Sequence, residues 1–262
     1  MSNDEITLTA GEAEVTVTPA GGGRVSGLRV DGVQLLRQGE RYGCFPMVPW
    51  CGRTREGRFL NGGVEHRLPL NAPPHAIHGT ARDGAWSVAR VTADEAVITY
   101  DLTDPWPYTG RVTQVVALAP GSLTLTMSVE TYDSSFPAQI GWHPWFNRTL
   151  NGTDAGLAFD AAWQEERGDD HLPTGHRVDP KSGPWDDCFG MPEGVDVTLT
   201  WPGLLELKVT SPEKWVVVYD EQEAAVCVEP QTGPPNGLNT LPRLVTPLEP
   251  LEATTTWSWR RL

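Results

Sequence analysis

The sequence is short of cysteine, of positive charge, of helical periodicity and of long apolar runs, and each shortage excludes a class of protein. Four cysteines, Cys44, Cys51, Cys188 and Cys227, occur in 262 residues without a CxxC pairing. Such spacing supplies neither a disulfide framework nor a zinc motif, so reduced packing thiols are expected. Lys and Arg number 20 against 34 Asp and Glu, and the formal charge of -14 repels the phosphates of nucleic acids. No stretch approaches the roughly 18 consecutive apolar residues of a membrane span, so no membrane partner is expected. The opening MSNDEITLTAGEAEVTVTP is acidic and polar where a secretory signal is basic and then apolar, which predicts a cytoplasmic location.

What is present is alternation of period two. In residues 122–130, Leu123, Leu125, Met127 and Val129 face one way and Thr124, Thr126 and Ser128 the other, the pattern of a half-buried strand. Residues 111–118 read as its partner, with Ala119-Pro120-Gly121-Ser122 as the hairpin turn. Further strands are predicted over 6–8, 13–18, 86–91, 96–102, 195–201, 205–210, 215–219, 225–228 and 254–260. With 27 Gly and 23 Pro punctuating these runs, the layer rules point to an all-β fold, a large antiparallel β-sandwich. Residues 1–262 are expected to form one domain. Long polar connections are expected over 61–74 and 164–194, where loops of such length usually carry function.

Four segments hold polar side chains that strands and turns do not require. In Val48-Pro49-Trp50-Cys51-Gly52-Arg53-Thr54-Arg55, an apolar start delivers Arg53, whose planar guanidinium can donate to several sugar oxygens; solvated arginines at a turn are the alternative. In His75-Ala76-Ile77-His78-Gly79-Thr80-Ala81-Arg82, extended HxxH spacing puts the two imidazoles on opposite faces, which argues against a shared metal. His78 suits a hydrogen-bonding role in a pocket, or else is a satisfied core histidine. In Gly141-Trp142-His143-Pro144-Trp145-Phe146, a titratable group stands among aromatics such as Trp142 that fit the apolar faces of a pyranose, unless the cluster is only core. In Cys227-Val228-Glu229-Pro230-Gln231, a carboxylate ends an apolar run, which is costly unless it is paired or functional, or exposed at the rim. Between the last two, the adjacent acids Asp186 and Asp187 could supply an acceptor for sugar hydroxyls, although such pairs are also common at turns.

Taken in order, VPWCGRTREGRF, HAIHG, GWHPWF, WDDCFG and CVEPQTGPPN resemble the motifs of the aldose 1-epimerase, or galactose mutarotase-like, family over nearly the full chain. That resemblance implies a galactose mutarotase-like β-sandwich that interconverts the α and β anomers of a free aldose. It implies Glu229 as general base, His143 as general acid, and Arg53, His78 and Asp186 as substrate-binding groups. No cofactor or metal is required, the partner is a small monosaccharide, and a monomer or homodimer is expected. The HGTAR run, with Arg82 near His78, also looks like hexose-6-phosphate mutarotase relatives, in which arginines receive a phosphate.

The chemistry needs one base for the anomeric hydroxyl and one acid for the ring oxygen, with the roles reversed on reclosure. Reference pKa values of about 4.3 for Glu and about 6.5 for His predict a Glu229 carboxylate beside a protonated His143 after modest tuning, aided by a neighbouring carboxylate. Two other readings fit the same residues: a glycoside hydrolase using Glu229 with Asp186 or Asp187, and a carbohydrate-binding or sensing protein of the same fold.

Overall fold

Period-two alternation becomes strands whose apolar half is buried. In the computed structural model, which describes residues 5–262, Leu123, Leu125, Met127 and Val129 of the Ser122–Thr131 strand are fully inaccessible. Each such side chain contributes on the order of 1.5–3 kcal/mol by leaving water. The strand pairs antiparallel with Gly110–Ala119, and the register Ala119↔Ser122 leaves Pro120 and Gly121 as the two turn residues. Gly121 takes φ +83°, which Pro-Gly sequences supply without strain.

Two large sheets result. The 8-stranded sheet runs in the order Ser87–Val91, Glu95–Leu102, Gly110–Ala119, Ser122–Thr131, Leu251–Arg261, Leu205–Ser211, Val195–Trp201 and Gly156–Phe159. The 11-stranded sheet runs from Ile6–Ala10 through Ala13–Thr18, Arg24–Val30, Cys44–Met47, Gly141–Asn147, Ala225–Gln231, Trp215–Tyr219, Asp186–Gly190 and Trp163–Arg167 to Pro173–Val178, with Val33–Gln34 attached beside Arg24–Val30. Neighbouring strands in both are antiparallel. Side chains from the two sheets meet in the core: Phe146 packs on Trp257 with ring centroids 5.1 Å apart. Trp142 Nε1 donates to Gln114 Oε1 at 3.0 Å, and Gln114 Nε2 in turn donates to the Gly23 carbonyl at 2.8 Å, so this buried amide is satisfied at both ends.

The structure differs from the sequence expectation over 164–194. Instead of one long connection it contains Pro173–Val178 and Asp186–Gly190 and most of Trp163–Arg167, three edge-side strands of the large sheet. Residues 61–74 likewise include the second strand of an Arg58–Asn61/Val64–Arg67 hairpin. Among the described residues, no helix is long and apolar enough to cross a membrane.

Candidate active site

Alternation also decides which residues of the large sheet leave the core. In Gly141–Asn147, Trp142 and Phe146 join the core cluster, which turns His143 and Trp145 to the outer face. In Ala225–Gln231, Val226 and Val228 do the same, turning Cys227 and Glu229 outward. The pairings Gly141↔Gln231 and Trp145↔Cys227 place His143 opposite Glu229. One row therefore crosses five strands as Phe45, His143, Glu229, Val217 and Cys188. A second row, Trp145, Cys227, Tyr219 and Asp186, runs beside it. These rows form the floor of a cavity of about 650 Å³.

His143 Nε2 lies 3.2 Å from Glu229 Oε1, and both side chains are almost wholly buried, at 7% and 5% exposure. Burial, reinforced by the nearby Arg82 and Arg24 cations, depresses the His143 pKa to about 3. Burial, helped by the Asp186 carboxylate, raises that of Glu229 well above the ordinary carboxylate range. Both shifts favour the uncharged partners, a neutral imidazole and a protonated carboxyl, over the ion pair. Both directions run against the sequence-based expectation of a charged imidazole beside an ionised carboxylate. Moving the shared proton across 3.2 Å interconverts the two forms without exchange with solvent.

The walls come from loops. Arg53 leaves the sheet in a two-residue strand paired with Ala76–Ile77, and that pairing brings His78 beside it. The His78 amide donates to the Gly52 carbonyl at 3.0 Å, and the residue sits at φ +63°. Gly79 follows at φ +73°, where a Cβ would lie 2.0 Å from the Val48 carbonyl oxygen; glycine is required for the chain to pass the strand end. Burial, then His143, Arg82 and Arg53, hold the His78 pKa well below its usual value, and its Nδ1 is buried without a partner. A neutral imidazole there is available as a hydrogen-bond partner for a hydroxyl.

Opposite, Arg167 Nη1 donates to Asp186 Oδ2 at 2.7 Å, while its Nε lies 3.5 Å from Asp187. Burial still raises the Asp186 pKa, against the pull of Arg167 and Arg53. Trp145 stacks on His143 at 4.9 Å and meets Tyr42 and Tyr219 edge-on, giving an aromatic wall. All four cysteines are free and buried; Cys188 lines the cavity with Glu229, and Cys227 lies two residues before Glu229 on the same strand face. Burial raises the pKa of each thiol. His143, Cys227 and Glu229 offer ligand atoms within 4.8 Å of one another, a donor set with metal-binding spacing.

Of the residues singled out from sequence, Glu229, His143, Arg53, His78, Asp186 and Arg82 line this one cavity. Three candidates lie elsewhere. Trp142 faces the core, so the aromatic partner of the site is Trp145, two residues beyond His143 on the same face of the strand. Asp187 does not line the cavity. His75 is structural: its Nδ1 accepts the Glu56 amide at 3.1 Å and its Nε2 lies 3.1 Å from the Asp170 carbonyl. Sequence reasoning missed Arg24, Glu165 and Arg167, which also line the cavity. The signal for Glu165 and Arg167 was their spacing of two, which places both on one face of a strand.

The sequence pattern of the family described as aldose 1-epimerase matches residues 4–250. The uncharacterized protein YphB of Escherichia coli (strain K12) is 32% identical over 149 residues, a match that spans 53% of this chain and only about half, 51%, of that relative. A galactose mutarotase-like protein from Clostridium acetobutylicum superimposes with a TM-score of 0.88 at 19% identity, covering 98% of this chain and 95% of that one. A galactose 1-epimerase from Lactobacillus acidophilus gives 0.81 at 18% identity, covering 98% and 94%. At those identities the structural likeness establishes the galactose mutarotase-like fold. With the family pattern extending over nearly all of its length, the chain belongs to the aldose 1-epimerase family.

Proposed function

We propose that residues 1–262 act as one catalytic domain, an aldose 1-epimerase that interconverts the α and β anomers of an aldose by opening and reclosing its ring. The observation that carries this reading is the buried His143–Glu229 contact of 3.2 Å on the cavity floor. Ring opening removes the proton of the anomeric hydroxyl and delivers one to the ring oxygen, and a carboxylate–imidazole pair sharing one proton can do both. Once the proton has moved to His143, Glu229 accepts from the anomeric hydroxyl while His143 protonates the ring oxygen. Rotation about C1–C2 in the open aldehyde exposes the other carbonyl face, and reclosure with reversed roles regenerates the pair. A hydroxyl donated to the Glu229 carboxylate favours the ionised form, so substrate binding promotes the proton shift.

In this reading His78, Arg53 and Asp186 bind hydroxyls, Arg167 holds Asp186 in place, and Trp145 lies against an apolar face of the sugar. The partner of Glu229 at 3.2 Å is an imidazole rather than a carboxylate, which favours ring opening over hydrolysis by a carboxylate pair. Polarimetry of freshly dissolved α-D-glucose and α-D-galactose, corrected for buffer catalysis, tests the proposal. Acceleration of the approach to equilibrium is expected. Binding of aldoses without acceleration would leave a sensing protein as the better description.

A further inference from the structure

Three side chains converge beneath the cavity as a set that ring opening does not need. Cys227 and Glu229 stand two residues apart on one face of Ala225–Gln231, and His143 reaches across from the paired strand Gly141–Asn147. A thiol sulfur, a carboxylate oxygen and an imidazole nitrogen thus lie within 4.8 Å of one another, and all three residues are buried. The carboxylate and the imidazole have work in opening a sugar ring. The thiol has none, and Cys227 stands outside the core cluster, so packing against the second sheet does not explain it either.

The carboxylate also lacks a cation. Glu229 is more than nine-tenths buried, yet among the described residues no arginine or lysine pairs with it, and its close ionisable contact is His143 Nε2 at 3.2 Å. Asp186 adds negative potential at both Glu229 and Cys227. A buried carboxylate in such a field is costly unless a positive charge joins it. Arg24 and Arg82 oppose a cation here, but they gather at Phe45, with Cζ atoms 5.1 and 5.5 Å from its ring centroid. Phe45 follows His143 in the floor row on the side away from Glu229.

We propose that Cys227 Sγ, His143 Nε2 and a Glu229 carboxylate oxygen form a binding site for Zn²⁺, with the fourth position open to the cavity. Thiolate and imidazole select a borderline-soft ion, whereas Mg²⁺ and Ca²⁺ take oxygen ligands. Tetrahedral zinc bonds of about 2.0–2.3 Å put ligand atoms roughly 3.3–3.8 Å apart, so separations of up to 4.8 Å close by at most about 1.5 Å of side-chain rotation. Cys227 is fully inaccessible, so the ion enters over Glu229 and His143, which line the cavity, and meets the sulfur from that side. Cys227 binds as thiolate, its proton passing to solvent, and Glu229 binds as carboxylate, so the charge of the metal is matched and the buried site is neutral. An ion held there occupies the lone pairs with which Glu229 and His143 would accept protons. Zn²⁺ is therefore an inhibitor that competes with the aldose; this consequence rests on the ring-opening reading, while the site itself does not.

Co²⁺ is the spectroscopic probe, added to the chelator-treated full chain. Wild type should develop a thiolate-to-cobalt charge-transfer band together with the intense visible bands of tetrahedral cobalt, and Zn²⁺ but not Mg²⁺ should displace them. Cys227→Ser should abolish the charge-transfer band and weaken Zn²⁺ binding, read by calorimetric titration, by on the order of 100-fold. Cys188→Ser, which alters the thiol that lines the cavity, should keep the band. Circular dichroism checks the fold of Cys227→Ser, with Cys227→Ala as its replacement, and the wild-type spectrum reports a thiolate ligand whether or not either variant folds. A wild-type cobalt spectrum without the charge-transfer band, or a band that persists in Cys227→Ser, overturns the proposal. Mutarotation, followed by polarimetry of fresh α-D-glucose and α-D-galactose, tests the consequence: Zn²⁺ should raise KM, with an inhibition constant equal to its calorimetric Kd. An unchanged or faster rate with the site filled overturns the inhibitory role. Should neither aldose equilibrate faster than the blank in the metal-free protein, the ring-opening reading fails, and the cobalt spectrum still decides the site.

Discussion

The buried state of His143 has a thermodynamic consequence that can be measured without any substrate. In the folded protein its pKa is about 3, and in the unfolded chain it returns to about 6.5. Below that upper value the unfolded chain takes up a proton that the folded protein refuses, so stability falls as the pH drops from 6.5 towards 3. At pH 4 the difference amounts to roughly 3 kcal/mol, from about 1.4 kcal/mol for each pH unit crossed. His143→Asn removes this contribution. The variant also loses ring packing against Phe45 and Trp145, which lowers its stability at every pH, so the informative quantity is the change between conditions. Urea unfolding at pH 7 and pH 4 should show wild type losing roughly 3 kcal/mol more than His143→Asn over that interval. Equal losses in the two proteins would mean that His143 titrates normally, and the account of a neutral, buried imidazole on the cavity floor would be wrong.

Other substitutions test the walls and the scaffold. Arg53→Lys keeps the charge but not the planar fork, and should raise KM several-fold, roughly up to tenfold, with a smaller change in kcat; steady-state mutarotation kinetics with an unchanged KM would return Arg53 to the status of a solvated turn residue. Arg167→Leu removes the 2.7 Å contact that holds Asp186, and should raise KM by about tenfold, the worth of one charge-assisted hydrogen bond; a fall confined to kcat would instead place Arg167 in the proton transfer. Gly190→Ala puts a Cβ 2.0 Å from Trp163 Cε2, forcing the indole off its seat across the paired strand. Overpacking of this kind costs typically 1–3 kcal/mol, read as a lower urea midpoint, and an unchanged midpoint would show that Trp163 moves freely.

Much of the fold was legible because half-buried antiparallel strands announce themselves. Gly110–Ala119, Ser122–Thr131 and Val195–Trp201 alternate buried and accessible residues almost without interruption, and the sequence pattern matched them to within a few residues. The strands that build the site do not alternate in this way. Ala225–Gln231 is buried at every position, because one face meets the core and the other the cavity floor. Trp163–Arg167 and Asp186–Gly190 looked like a polar loop because Glu165, Arg167 and Asp186, which line the cavity, took the places where a core-facing strand would carry apolar residues. The location of the candidate site was legible where a rare residue stood in an apolar context, as with Glu229 and His143, which the structure brings together in one cavity. Arg24 was not, since an arginine at the start of a strand looks solvated until Phe45 and the Tyr42 carbonyl are seen around it. The protonation of the pair also lay beyond the sequence, since it depends on how completely the floor is shielded from water and on how near Arg82 and Arg24 come to His143.

The central claim is that Glu229 and His143 transfer protons rather than merely line a sugar pocket, and Glu229→Gln tests it most directly. Glutamine keeps the shape and can still hydrogen-bond to a sugar hydroxyl, but it cannot accept the anomeric proton. Mutarotation by this variant should show kcat lowered by on the order of 10² to 10⁴, the usual worth of a positioned general base, while calorimetric titration gives an unchanged sugar affinity. Near wild-type kcat together with normal affinity would contradict the assignment.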